Sequence, residues 1–202
     1  MTSKRTRRSP AQARAEILQA AETALQDLDP GALTVEVLME RTGMTRSSFY
    51  HYFKSLDDVT IALFDRVAAD ISGAVDDWLE GDDTPDDPRA ATVSHLVRMY
   101  EVWREHASLM RAMEQAAGRS GTAYQAWRGR VVDGYIAKTI AFLEREIAAG
   151  RCDATDPEAL ASALILMNVS VASDQVARPE PDSPERLGAA VGRIWNGAIY
   201  GF

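Results

Sequence analysis

Apolar residues recur at intervals of three and four along almost the whole chain, and this spacing restricts the fold more than any other feature of the sequence. Near the C-terminus, for example, Leu187, Val191 and Ile194 fall on one side of a helix with about 3.6 residues per turn. No stretch shows a convincing alternation of period two, which a half-buried strand would require. We therefore predict an all-α fold.

Proline, glycine and aspartate residues divide this pattern into separate helices. The first helix is expected to stop at 29–31, where Asp-Pro-Gly follows the last apolar position. Ser55 and Asp58 form a variant of the capping box and predict the start of a long helix that links two domains. The longer helices are predicted over about 11–28, 55–79, 124–149, 157–176 and 185–200.

Two short helices are predicted between residues 34 and 53. Thr34 and Thr45 are candidate N-caps, and Gly43 can adopt the left-handed conformation that a sharp turn between the helices needs. Phe49 and Phe53, four residues apart, form the buried face of the second helix. Helices this short can only pack on each other and on the first helix, so the segment is predicted to be a helix-turn-helix.

The outward face of the second short helix has the side chains of a DNA-reading surface. With Phe49 and Phe53 inward, Arg46, Ser47, Tyr50 and His51 point outward. Arg46 can pair with guanine O6 and N7, the serine hydroxyls of Ser47 and Ser48 can contact bases or phosphates, and Thr45 caps an end suited to phosphate. The same helical pair also occurs in proteins that never contact DNA, which is the alternative interpretation.

The charge of the chain is divided in a way that favours the DNA-reading interpretation. The net charge is −8, but residues 1–54 hold 8 of the 22 Lys and Arg and 6 of the 30 Asp and Glu, a local net charge of +2. The remaining residues therefore carry −10. A cationic end on an anionic body presents one side to phosphates. The basic stretch at 4–8 either lies along the DNA backbone or in a minor groove, or is a disordered solubilising tail.

The segments Arg41–Met44 and Ser48–Phe53, with the Thr34 cap and the Ser55 helix start, resemble the DNA-binding motif of the TetR family. The resemblance implies an all-helical homodimer of about nine helices per subunit that is released from operator DNA by a small molecule. We expect a basic flexible arm at 1–9, a helix-turn-helix domain at 10–54, and a helical effector-binding and dimerisation domain at 55–202.

The resemblance also implies which residues contact DNA. It places groove contacts at Arg46 and Ser47 and phosphate contacts at Thr34, Ser48, Tyr50 and Tyr52. Two positions depart from the family pattern. Leu56 stands where a phosphate-binding lysine is usual, so Lys54 is the candidate replacement, and Met39 stands where alanine is usual.

The middle helices carry large apolar and aromatic residues that suit either a core or an apolar ligand cavity. Asn168 is distinctive because an amide within an apolar run needs a hydrogen-bond partner, from a ligand or a neighbouring helix. The runs 163–168 and 193–201 resemble the EthR-like branch of the family, which implies a long apolar cavity lined at Trp103 and Asn168. The ligand-binding candidates are Met99, Trp103, Met113, Trp127, Phe142, Met167, Asn168 and Trp195.

The last two helices are predicted to form a dimer interface. The segment 157–176 is apolar on almost every side, so it needs cover from more than its own subunit. In the final helix Gly188, Ala189 and Gly192 permit close approach of a partner helix. A four-helix interface between two copies fits both features.

The sequence lacks the residues that other function classes require. His95, His106 and the single Cys152 are scattered, so we expect no catalytic set, no metal and no cofactor. We expect no apolar run to reach the roughly 18 residues of a membrane span, and the polar N-terminus does not resemble a signal peptide. We therefore expect a cytoplasmic protein without membrane contact. A helical ligand-binding protein without operator specificity is the remaining alternative.

Overall fold

The computed structural model describes residues 9–80 and 87–201, and the basic stretch at 4–8 lies outside this range. The described residues form helices and no strands, as predicted. The ten α-helices are α1 (Pro10–Asp27), α2 (Val35–Thr42), α3 (Arg46–Tyr52), α4 (Leu56–Glu80), α5 (Pro88–Glu105), α6 (Ala107–Arg119), α7 (Gly121–Trp127), α8 (Gly134–Ala148), α9 (Pro157–Ala177) and α10 (Pro184–Tyr200). A 3₁₀ turn occupies Pro30–Ala32 and a π-helical turn occupies Arg128–Asp133.

The helix starts lie where the capping residues predicted them. The Thr34 hydroxyl accepts a hydrogen bond from the Val37 backbone N–H at 3.2 Å. Gly43 ends α2 with a φ of 62°. At the start of α4, the Ser55 hydroxyl accepts from the Asp58 N–H at 3.1 Å, and the Asp58 carboxylate accepts in return from the Lys54 N–H at 2.9 Å. These bonds satisfy backbone donors that a helix start leaves unpaired.

The first three helices and the beginning of α4 share one apolar core, which we call the N-terminal core. Ile17 of α1, Leu38 of α2 and Phe49 of α3 are fully buried in it, together with Val59 and Leu63 of α4. Because α4 contributes to this core and continues beyond it, the helix is part of both halves. The domain boundary at 54/55 stays a prediction.

A second core, the C-terminal core, is formed by the helices from α4 to α10. It is built around Trp78, Trp103, Met113, Leu143 and Trp195. The helix α6 connects the two cores. Its Leu109 packs against both, and its Ala112 is buried in the N-terminal core.

The small residues of α10 serve a contact within the chain, which corrects the sequence interpretation. A Cβ added to Gly188 would lie 2.4 Å from Val97 Cγ2 and 2.8 Å from the Val97 backbone nitrogen, and one added to Gly192 would lie 2.7 Å from Val93 Cγ2. The partner helix of Gly188 and Gly192 is therefore α5 of the same subunit. Ala189, by contrast, is exposed.

The helix predicted over 124–149 is present, but it begins at Gly121 and contains a π-helical turn. The chain forms α7, then the π-helical turn, then α8. Gly129 and Gly134, both weak helix formers, lie at this turn, and the Gly134 N–H donates to the Gly129 carbonyl across it. The turn places Val131 and Val132 in the interior.

The helix α9 also corrects the expectation that no segment could span a membrane. Its 21 residues contain an 18-residue window with a mean hydropathy of 1.4, which is long and apolar enough to cross a membrane by length and composition alone, and 39% of that window is buried. In this fold α9 packs on α5, α6, α8 and α10. Its exposed positions Ala159, Ala163, Leu166, Ser170, Asp174 and Ala177 fall on one side of the helix.

Candidate functional site

The buried side of α3 determines which of its residues reach solvent. Phe49 is 0% exposed and packs with Phe53, whose ring centroid lies 5.9 Å away. The opposite side presents Arg46, Ser47 and Tyr50 to solvent, and Tyr50 is 49% exposed. The helix therefore offers one polar face and is fixed from behind by two aromatic rings.

Arg46 is held by two neighbours on this face. Its Nη1 atom lies 2.5 Å from Oε1 of Glu36 in α2, and its Nη2 atom donates to the Tyr50 hydroxyl at 3.4 Å. The hydrogen bond to Tyr50 is the largest influence that raises the pKa of Arg46, and the negative charge of Glu36 adds to it. The guanidinium thus stays cationic, and it is oriented before any ligand arrives.

The start of α3 is ordered by a hydroxyl pair. The Thr45 hydroxyl accepts from the Ser48 N–H at 3.2 Å and lies 2.9 Å from the Ser48 hydroxyl. Thr34, Thr45, His51 and Lys54 are exposed, whereas Ser48 and Tyr52 are half-buried. The structure brings Thr45, Arg46, Ser47, Ser48, Tyr50 and His51 together on α3 and its N-cap. Thr34 caps α2, Tyr52 is the last residue of α3, and Lys54 lies beyond its end.

Leu56, the departure from the family pattern, has a structural role. It is half-buried at the first position of α4 and packs against the N-terminal core. Its side chain is therefore a packing group. Lys54 is exposed two residues earlier, and its backbone N–H is taken by the cap of α4.

A cavity of about 40 Å³ lies among α4, α5, the π-helical turn, α8, α9 and α10. We call it the cavity. Its lining is almost entirely apolar, and the polar side chains there are His95, Tyr135 and Asn168. The lining residues are Trp78, Leu79, His95, Leu96, Met99, Trp103, Val131, Tyr135, Ile165, Asn168, Val169 and Trp195.

Four of the eight ligand-binding candidates line the cavity: Met99, Trp103, Asn168 and Trp195. The other four do not. Met113 is fully buried in the C-terminal core, Phe142 packs 5.0 Å from Trp78 behind the lining, and Trp127 and Met167 pack partly buried against that core.

Trp195 and Asn168 form the polar contact that the sequence requires for the amide. The Trp195 Nε1–H donates to the Asn168 Oδ1 at 3.0 Å. The neighbouring helix α10 therefore supplies the partner. This bond fixes the direction of the amide, because the oxygen must face the indole.

The sequence interpretation missed an aromatic wall formed by Trp78 and His95. Their rings stack with centroids 5.3 Å apart and an interplanar angle of 16°, and Trp78 also lies 5.5 Å from Trp195. Nothing local indicated that Trp78 meets α5 and α10, because these contacts join residues distant in the chain.

Comparisons with known proteins agree with this arrangement. The family model described as bacterial regulatory proteins, tetR family, matches residues 17–63. The model of the C-terminal domain of the transcriptional regulator EthR matches residues 93–201, which is more than half of the chain. This chain belongs to the TetR family.

Individual relatives extend the match over nearly the full length. The HTH-type transcriptional regulator EthR of Mycobacterium tuberculosis is 30% identical over 187 residues, covering 92% of this chain and 86% of that protein. The fold resembles a TetR transcription regulator from Haloarcula marismortui, with a TM-score of 0.75, 16% identity, and coverage of 94% and 99%. It also resembles SmeT of Stenotrophomonas maltophilia in a complex with triclosan, with a TM-score of 0.70, 21% identity, and coverage of 93% and 91%.

This TetR-family protein is thus a DNA-binding transcriptional regulator with a helix-turn-helix, and its relatives are regulators, not enzymes. The members of the family bind operator DNA and small molecules and usually dimerise.

Proposed function

We propose that this regulator is a homodimeric repressor that leaves its operator when an apolar small molecule occupies the cavity. The observation that carries the proposal is the apolar cavity inside the C-terminal core, with Trp78, Trp103 and Trp195 in its lining. Such a composition, with few polar groups, is typical of small-molecule sites. The DNA and the ligand would be bound in the cytoplasm.

On the DNA side, the exposed face of α3 enters the major groove. Arg46 pairs with a guanine, and Ser47 contacts a neighbouring base edge. Thr34, Thr45, Ser48, Tyr50, His51, Tyr52 and Lys54 contribute contacts along the backbone and groove edge. These phosphate contacts fix the register, and the Arg46 contact supplies sequence preference.

On the ligand side, the small volume of the cavity couples ligand binding to a movement of the helices around it. Drug-sized ligands occupy roughly 300–1,000 Å³, so the cavity of about 40 Å³ must widen to accept one. The helix α4 contributes Trp78 and Leu79 to the lining and Val59 and Leu63 to the N-terminal core. A ligand that displaces one end of α4 therefore reorients the reading helix at the other.

The second subunit is proposed to cover α9 and α10. Leu166 of α9 is 46% exposed and Ile194 of α10 is 49% exposed, although both are large aliphatic residues. A self-complementary pairing of these faces in two copies would bury them and would set two reading helices about one turn of DNA apart.

The test is a binding titration with the DNA upstream of the protein's own gene and a scrambled duplex of equal length, at several salt concentrations. We expect the upstream DNA to bind more tightly at every concentration, and both affinities to fall as salt rises. Equal affinities throughout would contradict the repressor proposal and favour a ligand-binding protein without operator specificity.

The ligand half is tested by screening apolar compounds for two effects on the same protein: a higher melting temperature and weaker binding to the upstream DNA. Trp195→Phe is a suitable variant, because it keeps an aromatic ring in the lining, although a smaller one, while it removes the donor to Asn168. Compounds that stabilise the protein without weakening DNA binding would contradict release by the cavity.

A further inference from the structure

A second concave site lies beside the cavity and is not part of it. It is a cleft of about 230 Å³ bounded by α5 and α6 on one side and by the end of α9, the loop 178–183 and the start of α10 on the other. We call it the cleft. Trp103 borders both spaces, so one indole ring stands between them.

The cleft combines an apolar wall with a cationic rim. Trp103, Val176 and Leu187 supply apolar surface. The charged lining residues are three arginines, Arg104, Arg111 and Arg178, and one carboxylate, Asp182. Just outside the lining, Asp174 pairs with Arg178 at 2.7 Å and the Glu185 carboxylate interacts electrostatically with Arg104. Arg111, which has no ion pair among the described residues, is therefore the lining arginine best able to attract an anion.

The single carboxylate is already engaged. Asp182 lies 2.6 Å from Nη1 of Arg186, which is outside the cleft, and 3.6 Å from Nη1 of Arg178. It therefore does not neutralise Arg104 or Arg111. Arg111 donates Nη1 to the Val176 carbonyl at 3.0 Å and Nη2 to the Ser108 hydroxyl at 3.3 Å. A guanidinium has five N–H donors, so donors of Arg111 remain for a ligand.

A buried hydroxyl adds a second observation. Tyr100 borders the cleft and is almost fully buried, and its hydroxyl has no hydrogen-bond partner among the described residues. Burial raises the pKa of this phenol well above its usual range, so it keeps its proton at neutral pH. A buried donor without a partner is costly, and a ligand oxygen or a bound water would relieve that cost.

The wall of the cleft is fixed in advance. The Gln175 Oε1 accepts from the Asp182 N–H at 2.7 Å, and Arg178 Nε lies 2.7 Å from Asp174. The loop also contains Pro179 and Pro181. Since the loop is held by these bonds and by proline, a ligand meets little ordering cost there.

We propose that the cleft is a second ligand site, which takes a small amphipathic carboxylate. The carboxylate lies against Arg104 and Arg111, and the apolar body lies along Trp103, Val176 and Leu187. Guanidinium and carboxylate form charge-assisted hydrogen bonds that a neutral or cationic head group cannot match. This site is independent of whether the cavity releases DNA.

The experiment uses the full-length protein and three probes with one apolar body: 4-phenylbutyrate, 4-phenylbutan-1-ol and 4-phenylbutylamine. Calorimetric titration measures each affinity. We expect the carboxylate to bind about tenfold or more tightly than the alcohol, which corresponds to about 1.4 kcal/mol, and the amine to bind weakest. Similar affinities for all three would overturn the proposal.

Two variants locate the site. Arg104→Gln should weaken phenylbutyrate binding about tenfold and leave the alcohol unchanged. Arg98→Gln is the matched control, because Arg98 is an exposed arginine on the same helix that pairs with Glu101 outside the cleft. An equal loss in both variants would mean a general charge effect and would contradict the assignment.

Two further measurements complete the test. Ala107→Phe fills the cleft from its α5–α6 side and should abolish binding of both the acid and the alcohol, with folding checked by the melting curve. Competition by inorganic phosphate as effective as phenylbutyrate would indicate a simple anion site and overturn the amphipathic assignment. Upstream-DNA binding, measured separately on the same samples, reports on the repressor proposal alone.

Discussion

At the scale of single residues, the ion pair between Arg46 and Glu36 governs how the reading face meets DNA. Both side chains are exposed, so the pair adds little to stability. The ion pair matters because it orients Arg46: Glu36 and Tyr50 hold the guanidinium in one orientation above α3. Contact with a guanine must replace or share these partners.

Arg46→Ala is predicted to lose about 1–3 kcal/mol of binding to the upstream DNA, because a bidentate guanine contact disappears. The melting temperature should stay unchanged, since the residue is exposed. Fluorescence anisotropy titrations measure the loss. Arg41→Ala is the control, because Arg41 lies on the neighbouring α2 and pairs with Asp27 at the end of α1. An unchanged preference for the upstream DNA in Arg46→Ala would show that the reading face is elsewhere.

Glu36→Gln is predicted to lower the ratio of affinities for upstream and scrambled DNA. Removing the carboxylate reduces repulsion from phosphates of any sequence, and it frees Arg46 from the orientation that suits a base. Scrambled DNA should therefore gain more affinity than upstream DNA does. Titrations of both duplexes at matched salt give the ratio. A ratio equal to that of the wild type would refute a positioning role for Glu36.

At the scale of helices, short-range signals were predictable and long-range contacts were not. Thr34, Thr45 and Gly43 predicted the helix-turn-helix because caps and turns depend on neighbours within four residues. The reading face followed from the spacing of Phe49 and Phe53. The partner of Gly188 and the meeting of Trp78 with His95 were not predictable, because spacing does not say which helix lies opposite.

Gly188→Ala is predicted to destabilise the fold by about 1–3 kcal/mol, because the new methyl would meet the Val97 backbone, which cannot turn away as a flexible side chain can. Gly118→Ala is the control. Gly118 lies in α6 with nothing within 4 Å of an added Cβ, so this change should stabilise by about 0.5–1 kcal/mol. Urea denaturation measures both. Equal effects in the two variants would contradict the close contact of α5 and α10.

At the scale of the whole molecule, the arrangement of the two cores determines what a partner subunit would do. The helix α4 extends from the N-terminal core into the C-terminal core. The proposed interface on α9 and α10 lies on the C-terminal half, so pairing fixes the distance between the two reading helices. Operator binding should therefore depend on dimerisation.

Leu166→Glu combined with Ile194→Glu is predicted to give monomers and to weaken upstream-DNA binding strongly, because charges would have to be buried in the pair. Sedimentation equilibrium measures the mass. Tyr124→Glu serves as control, since Tyr124 is an exposed aromatic residue on α7, away from these faces. Retention of wild-type mass in the double variant would place the interface elsewhere.

The contact of Gly188 and Gly192 with α5 limits how the C-terminal half can move. Two helices whose backbones touch cannot slide or rotate separately without a clash, so α5 and α10 behave as one packed helix pair. This helix pair forms one side of the cavity and also carries Ile194. With this side immobile, the freedom to enlarge the cavity is left to α4, the π-helical turn, α8 and α9.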